Sequence, residues 1–248
     1  MTFTPAHRGG SGTPLVCLHG FADTWRVWEL VLPALERRHD VLAPTLPGHA
    51  GGPPIDDPIT GDTLADGVER VLDAAGIGTA HLVGNSLGGH VALQLAARGR
   101  ARTVVALAPA GGWPADDASR WETFALQDRM LQHGGTAGPR LVAEHVEHIP
   151  AELLEHGRLA AARCEGGPAL LEYARHGDWT LDAERIDCPV RIVWGSADRL
   201  LPWPAAAERY RREWLPHADW VVLDGVGHAP QLDVPLETAQ LILGLTAT

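Results

Sequence analysis

The 248-residue chain holds four serines, and Ser86 stands in Gly84-Asn85-Ser86-Leu87-Gly88-Gly89. With 28 glycines available, about 0.05 Gly-x-Ser-x-Gly matches arise by chance. The segment follows an apolar run, His81 to Asn85, and precedes a helical pattern that starts near Leu87. A serine on such a sharp strand-to-helix turn has a strained backbone. Its flanking glycines let neighbouring segments approach, and its hydroxyl stands exposed at the strand end. The helix start beside it favours developing negative charge. These are the properties of a nucleophile.

A hydroxyl nucleophile needs a base, and the base needs an orienting group. His228 is one of 13 histidines, so its type alone means little. Its place does mean something: it lies in Asp224-Gly225-Val226-Gly227-His228-Ala229-Pro230, directly after an apolar run ending at Leu223. Two carboxylates compete to orient it. Asp198 sits in Gly195-Ser196-Ala197-Asp198-Arg199-Leu200-Leu201-Pro202, just past another strand pattern, whereas Asp224 lies four residues before His228 and suits a turn cap. Reactive groups of parallel α/β sheets gather where strand C-termini meet, which favours Asp198.

The elements that must position these residues are an alternation of short apolar runs and longer helical patterns, as in a mainly parallel sheet covered by helices. Strands are expected over Pro14 to His19, Asp40 to Thr45, His81 to Asn85, Thr103 to Ala108, Val190 to Gly195 and Trp220 to Leu223. Helices are expected over Thr24 to Leu35, Thr63 to Ala75, Leu87 to Arg98, Ala205 to Trp214 and Pro235 to Leu243, with Thr60 or Asp62 capping the second and Gly76 ending it. From Gly112 to Arg185 the alternation stops. There only helical periodicity remains, broken at Gly134-Gly135, Gly138-Pro139, Ile149-Pro150 and Gly166-Gly167-Pro168, which reads as an inserted lid. Trp113, Trp121, Phe124, Leu126, Met130 and Leu131 open it with an apolar face. Most of that face is read as packing, with Trp113 and Trp121 as candidate pocket residues beside Asn85.

Composition narrows the function. The net charge of −11 argues against a nucleic-acid partner that must have its phosphates neutralised. All 20 basic residues are arginine, so chemistry that needs a lysine is excluded. Cys17, Cys164 and Cys188 are too few and too far apart for a disulfide framework, and no C-x-x-C pair offers a structural zinc site. His145 and His148 among Glu144, Glu147 and Glu152 lack the H-E-x-x-H spacing and read as a solvated helix face. No apolar run approaches the ~20 residues of a membrane span, and the first residues lack a signal-peptide pattern. The expectation is a cytoplasmic monomer or homodimer acting on a small molecule, with no cofactor, no metal and no membrane partner.

The chain order Ser86, Asp198, His228 resembles that of the α/β-hydrolase fold. His19-Gly20-Phe21 is similar to that family's oxyanion loop, and Gly227-His228-Ala229-Pro230-Gln231-Leu232-Asp233 to its histidine segment. Leu46-Pro47-Gly48-His49 resembles a family stretch in which many members carry aspartate where this chain has Thr45. The resemblance covers nearly the whole chain. It implies an α/β fold, a mostly parallel twisted sheet flanked by helices, with core residues 1–111 and 186–248 and a helical lid at 112–185. It also implies an oxyanion site at the backbone N–H groups of Phe21 and Leu87. Relatives with an aspartate nucleophile are set aside by Ser86, lysine-dependent hydroxynitrile lyases by the lack of lysine, and proline aminopeptidases by Ala22-Asp23 after the His-Gly pair. The expected activity is cleavage of an ester, lactone or thioester of a small apolar substrate through an acyl-enzyme on Ser86. A carbon–carbon hydrolase of the meta-cleavage type is the enzymatic rival, weakened because Ala229 follows His228 where such enzymes commonly have tryptophan. A ligand-sensing receptor on the same fold is the rival from outside catalysis.

Overall fold

In the computed structural model, which describes residues 2–55, 58–114, 118, 120–132, 139–177 and 179–247, the apolar runs become strands of one seven-stranded sheet. The strands are β1 (Ala6–Gly10), β2 (Thr13–Leu18), β3 (His39–Pro44), β4 (Ala80–Asn85), β5 (Ala101–Leu107), β6 (Val190–Gly195) and β7 (Asp219–Leu223). They lie in the order β1-β3-β2-β4-β5-β6-β7, and all neighbours are parallel except β1 with β3. The chain leaves β2 toward β3 on one side and returns to β4 on the other. That makes the β2/β4 boundary the topological switch point, where parallel sheets open a crevice at their C-terminal ends.

Runs without polar alternation are what a strand covered on both faces requires. Val16 and Leu18 of β2, Leu82 of β4 and Val104 of β5 join one buried cluster, with Val68, Leu72 and Leu93 from α2 (Thr63–Ala74) and α3 (Leu87–Ala97). Their odd- and even-numbered neighbours Leu15, Cys17, Val83 and Val105 join another, with Leu35 of α1 (Leu32–Leu35) and Ile242 of α8 (Pro235–Thr246). The helix α3 is buried almost all round, so its whole length lies inside the fold.

Several elements depart from expectation for identifiable reasons. The strand β1 was not anticipated: it is half exposed, rich in glycine and without alternation, and Arg8 reaches across to Asp40 at its edge. The single helix expected over Thr24 to Leu35 divides into a 3-10 turn, Trp25–Trp28, and α1, because Pro33 lacks an N–H and is tolerated only in a helix's first turn. Ala205 to Trp214 is helical but irregular, with a 3-10 turn at Ala205–Ala207 and a π turn at Tyr210–Trp214. Asp62 occupies the N-cap of α2 without a capping bond, since its carboxylate is bound to Arg98; the chain turns out of α2 at Gly76, φ 71°.

Among the described residues between β5 and β6 there is no strand. The segment holds α4 (Arg120–Gln132), α5 (Ala151–Ala162), α6 (Gly167–His176) and three 3-10 turns, at Pro139–Leu141, Val146–His148 and Ala183–Arg185. The breaks expected at Gly134-Gly135 and Gly138 lie outside the described residues. The segment is bonded to loops at the strand ends: Gly166 N–H donates to Gly48 O (2.8 Å), Thr123 Oγ1 to Leu200 O (2.7 Å) and Ala229 N–H to Val142 O (2.7 Å). A short α7 (Pro230–Asp233) follows the His228 loop. No helix among the described residues is long and apolar enough to cross a membrane.

Because Leu82 is fully buried between Val16 of β2 and Val104 of β5, Leu82→Ala should destabilise the protein by about 2–5 kcal/mol. Urea unfolding checks this; a loss below ~1 kcal/mol would contradict the central, two-sided burial of β4.

Candidate active site

Ser86 follows β4 directly and caps α3 with φ 55° and ψ −118°, a region that L-residues avoid. The strain is held by bonds on both sides of the residue. Its N–H donates to Leu107 O (2.8 Å), and its carbonyl accepts from His90 N–H (3.1 Å) and Ala110 N–H (3.0 Å). The two glycines of the motif are required by packing. A Cβ on Gly84 would lie 2.1 Å from Gly88 O, and one on Gly88 would lie 2.3 Å from Leu18 O.

His228 Nδ1 lies 2.8 Å from Asp198 Oδ2, with both side chains buried. The other carboxylate oxygen of Asp198 accepts from Leu200 N–H (2.9 Å) and Leu201 N–H (2.7 Å), which fixes its rotation. An Nδ1–H donated to a carboxylate leaves Nε2 as the acceptor, and Nε2 has no hydrogen-bond partner among the described residues. Asp224 lies elsewhere: it accepts from Ser196 Oγ (3.0 Å) in an exposed turn.

Ser86 and His228 meet in the lining of one cavity of about 510 Å³, which also takes in Gly20, Phe21 and Asp23. A smaller cavity of about 60 Å³ shares Ser86 and Phe21; Leu87, Trp113, Phe124 and Trp179 give it an apolar wall, and Thr60, His90, Gln94, Gln127 and Tyr173 add polar groups. Neither the Phe21 nor the Leu87 backbone N–H has an acceptor among the described residues. Leu87 N–H is unspent because it opens α3, where the first N–H groups have no partner within the helix. The arrangement therefore brings together a strained serine, a carboxylate-oriented imidazole with a free acceptor nitrogen, and two unspent N–H donors.

The three candidate pocket residues part company. Trp113 is buried and lines the smaller cavity. Asn85 lines the larger one, but its Nδ2 donates to Leu107 O (3.1 Å) and His228 O (3.0 Å), while its Oδ1 accepts from Gln231 Nε2 (3.0 Å). Its polar atoms thus tie the serine strand to the histidine loop. Trp121 lines neither cavity; it is 43% exposed and packs on Phe124 and His176, because α4 turns that face outward. His19 is structural: Nδ1–H donates to Gly20 O (2.7 Å), Nε2 accepts from Leu46 N–H (2.8 Å), and burial holds its pKa well below the ordinary value. Of the His145–His148 group, Glu144 pairs with Arg199, His145 is half-buried, and Glu147 and His148 are exposed.

Two carboxylates escaped the sequence reading. Asp233 accepts from Gly227 N–H (2.6 Å), Glu144 N–H (3.1 Å) and His145 N–H (2.6 Å), which fastens the histidine loop to the chain before α5. Asp23 lines the larger cavity, and burial pushes its pKa from 3.8 up to about 6, opposed only in part by Thr24 N–H on Oδ1 (2.7 Å). A carboxyl with a raised pKa favours the fold when protonated; that contribution is complete below pH ~4 and is lost as the pH rises through ~6. Asp23→Asn, which never ionises, should therefore gain stability over the wild type between pH 4 and pH 8, by about 1–2 kcal/mol after allowance for partial exposure. Thermal melting of both proteins across this range checks it; a constant gap would mean that Asp23 is well solvated.

Comparison with known proteins identifies the family of the fold. The model of the alpha/beta hydrolase family matches residues 15–241. An epoxide hydrolase of Mycobacterium tuberculosis, EphH, is 34% identical over 203 residues, 72% of this chain and 91% of its own. A putative carbamate hydrolase of Escherichia coli, RutD, is 29% identical over 249 residues, 92% of this chain and 89% of its own. A thermophilic esterase of Thermogutta terrifontis, solved with malate bound, superposes with a TM-score of 0.79 at 25% identity, covering 98% of this chain and 92% of that one. A parallel sheet with the order seen here, a serine elbow after β4 and a family match over nine-tenths of the residues place this chain in the α/β-hydrolase family, as a hydrolase.

Proposed function

We propose that this hydrolase is a serine enzyme that cleaves a carboxylic ester, lactone or thioester of a small molecule through an acyl-enzyme on Ser86. The observation that carries the reading is the buried His228–Asp198 pair, whose open Nε2 shares a cavity with a serine held at a strained elbow. Ser86 Oγ attacks the carbonyl carbon as His228 Nε2 takes its proton, and Asp198 stabilises the imidazolium so formed. The carbonyl oxygen becomes an oxyanion that receives the N–H groups of Phe21 and Leu87; one such donor contributes about 2.7–4 kcal/mol to lowering the barrier. Collapse of the intermediate expels the alkoxide or thiolate, which takes the proton from His228. Water, deprotonated by the same imidazole, then attacks the acyl ester and releases Ser86 with its proton restored. Residues 112–185 act as a lid over a core formed by 1–111 and 186–248, since both supply the cavity lining.

The chemistry of the intermediate separates this reading from that of the epoxide hydrolase relative. Attack of a serine oxygen on an epoxide carbon leaves an ether, which has no carbonyl for water to attack. An acyl ester has one, and the carbamate hydrolase and esterase relatives are named for substrates with an acyl carbon. Hydrolysis of p-nitrophenyl esters from acetate to dodecanoate should therefore be measurable. In Ser86→Ala kcat should fall at least ~10³-fold with little change in KM, as expected when a nucleophile and its base act as a unit. Full turnover in that variant would sink the assignment; turnover absent throughout the series would shift it to carbon–carbon cleavage or ligand sensing.

A further inference from the structure

The larger cavity carries one carboxyl that the proposed chemistry leaves unused. Asp23 sits at the end of a turn whose Ala22 is held at φ 61°, and directly before the 3-10 turn Trp25–Trp28. Its Oδ1 receives Thr24 N–H, and among the described residues no cation pairs with the carboxylate. The charged groups that share the cavity are accounted for. Arg158 of α5 is bound through Nε and Nη2 to Glu155 (2.8 and 2.6 Å), and His228 faces from the loop after β7 with its Nδ1 on Asp198. On Asp23's own side, Arg26 is paired with Glu29. Among the described residues the cavity thus holds one uncompensated acidic group, in the same lining as the serine, and its burial works against folding above pH ~6.

We propose that Asp23 recognises a protonated amine carried by the part of the substrate that occupies the larger cavity. The proposal rests on the reading of this cavity as the substrate site. It divides the substrate in two. An apolar portion enters the smaller chamber beside Trp113, Phe124 and Trp179, and a cationic portion lies against Asp23, with the scissile carbonyl between them at Ser86. An ammonium group supplies the counter-charge and hydrogen-bond donors that the free carboxylate oxygen lacks, which is the condition for keeping a charge out of water.

Calorimetric titration of the full chain with n-hexylammonium and with n-hexanol at pH 8 tests this without relying on catalysis. The wild type should bind the ammonium at least ~10-fold more tightly than the alcohol, and Asp23→Asn should bring the ratio to about one. Asp23→Ser replaces that variant if it fails to fold, and Glu237→Gln, which removes an exposed carboxylate outside both cavities, should retain the preference. General attraction to a net charge of −11 persists in every variant, so the change in ratio isolates the Asp23 site. A wild-type ratio of one or less, or a preference that survives loss of the carboxylate, overturns the proposal. The catalytic counterpart compares, at pH 7, 2-(dimethylamino)ethyl butyrate, whose amine is protonated, with its neutral isostere 3-methylbutyl butyrate. If neither ester is cleaved while the ammonium preference holds, the esterase reading fails and the cation site stands. If both are cleaved without preference and hexylammonium gains nothing, the reverse is true.

Discussion

The backbone of Ser86 is the constraint on which the rest depends. A non-glycine residue at φ 55° and ψ −118° is strained by about 1–3 kcal/mol and persists only where its surroundings determine it several times over. Here the N–H is bound to β5 and the carbonyl to both α3 and the chain beyond β5. The helix after the serine must also lie almost against the strand before it, which the bare Cα atoms of Gly84 and Gly88 allow. A strand with a neighbour on each side and a helix buried along its length are therefore conditions for the serine's geometry. An edge strand would lack the acceptor on one side, and a solvent-facing helix would not hold the turn.

The same frame reaches the other reactive groups through hydrogen bonds that span the sequence. Asn85, one residue before the serine, donates to His228 O, and Gln231 reaches back to Asn85 from the far side of the histidine loop. Asp233 ties that loop's Gly227 to Glu144 and His145 in the segment between β5 and β6. Strands β4 to β7 stand side by side, so the loops carrying Ser86, Asp198 and His228 leave the sheet at the same edge. Topology delivers these loops to one place, and the buried amides and carboxylates set the final positions. Such networks stabilise one arrangement because every partner left unmatched would be a buried polar group without a bond.

How much of this is legible in the sequence follows from which signals are local. Ser86 stands out through the Gly84-x-Ser86-x-Gly88 motif, and Asp198 and His228 through their places just past apolar runs, because a parallel sheet gathers the C-terminal ends of its strands on one side. The buried strands read as apolar runs for the same reason. By contrast, β1 carries Arg8, Gly9 and Gly10, and its strand character comes from pairing with β3 rather than from its own residues. Trp121 looks like a pocket residue in a list of aromatics, yet the side of α4 that turns inward is decided by packing against α6. Asp23 was invisible for a different reason. In the sequence it serves only to distinguish the chain from proline aminopeptidases, and its place in a cavity depends on α5, more than a hundred residues away, which supplies part of the same lining.

The histidines show why burial alone does not make a catalytic group. His49, His81 and His90 are each pushed down to about 4, chiefly by desolvation, and His19 well below its ordinary value for the same reason. Among the described residues none has a carboxylate on its ring, and each is held neutral by hydrogen bonds to neutral groups: His49 Nδ1–H donates to Pro47 O (3.0 Å), His90 Nδ1–H to Tyr210 Oη (2.8 Å), and His81 Nδ1 lies 2.9 Å from Thr103 Oγ1. A base must accept a proton during the reaction, which in a water-poor site requires a counter-charge already in place. Among the histidines with a buried side chain, His228 has one, in Asp198. In the proposed mechanism this carboxylate faces the imidazole as it takes the proton, a counter-charge that His19, His49, His81 and His90 lack among the described residues. Asp23 presents the complementary situation in the same cavity, an acid with no cation of the described protein beside it. One buried carboxylate is matched from within the chain, and the other is positioned to be matched by what enters.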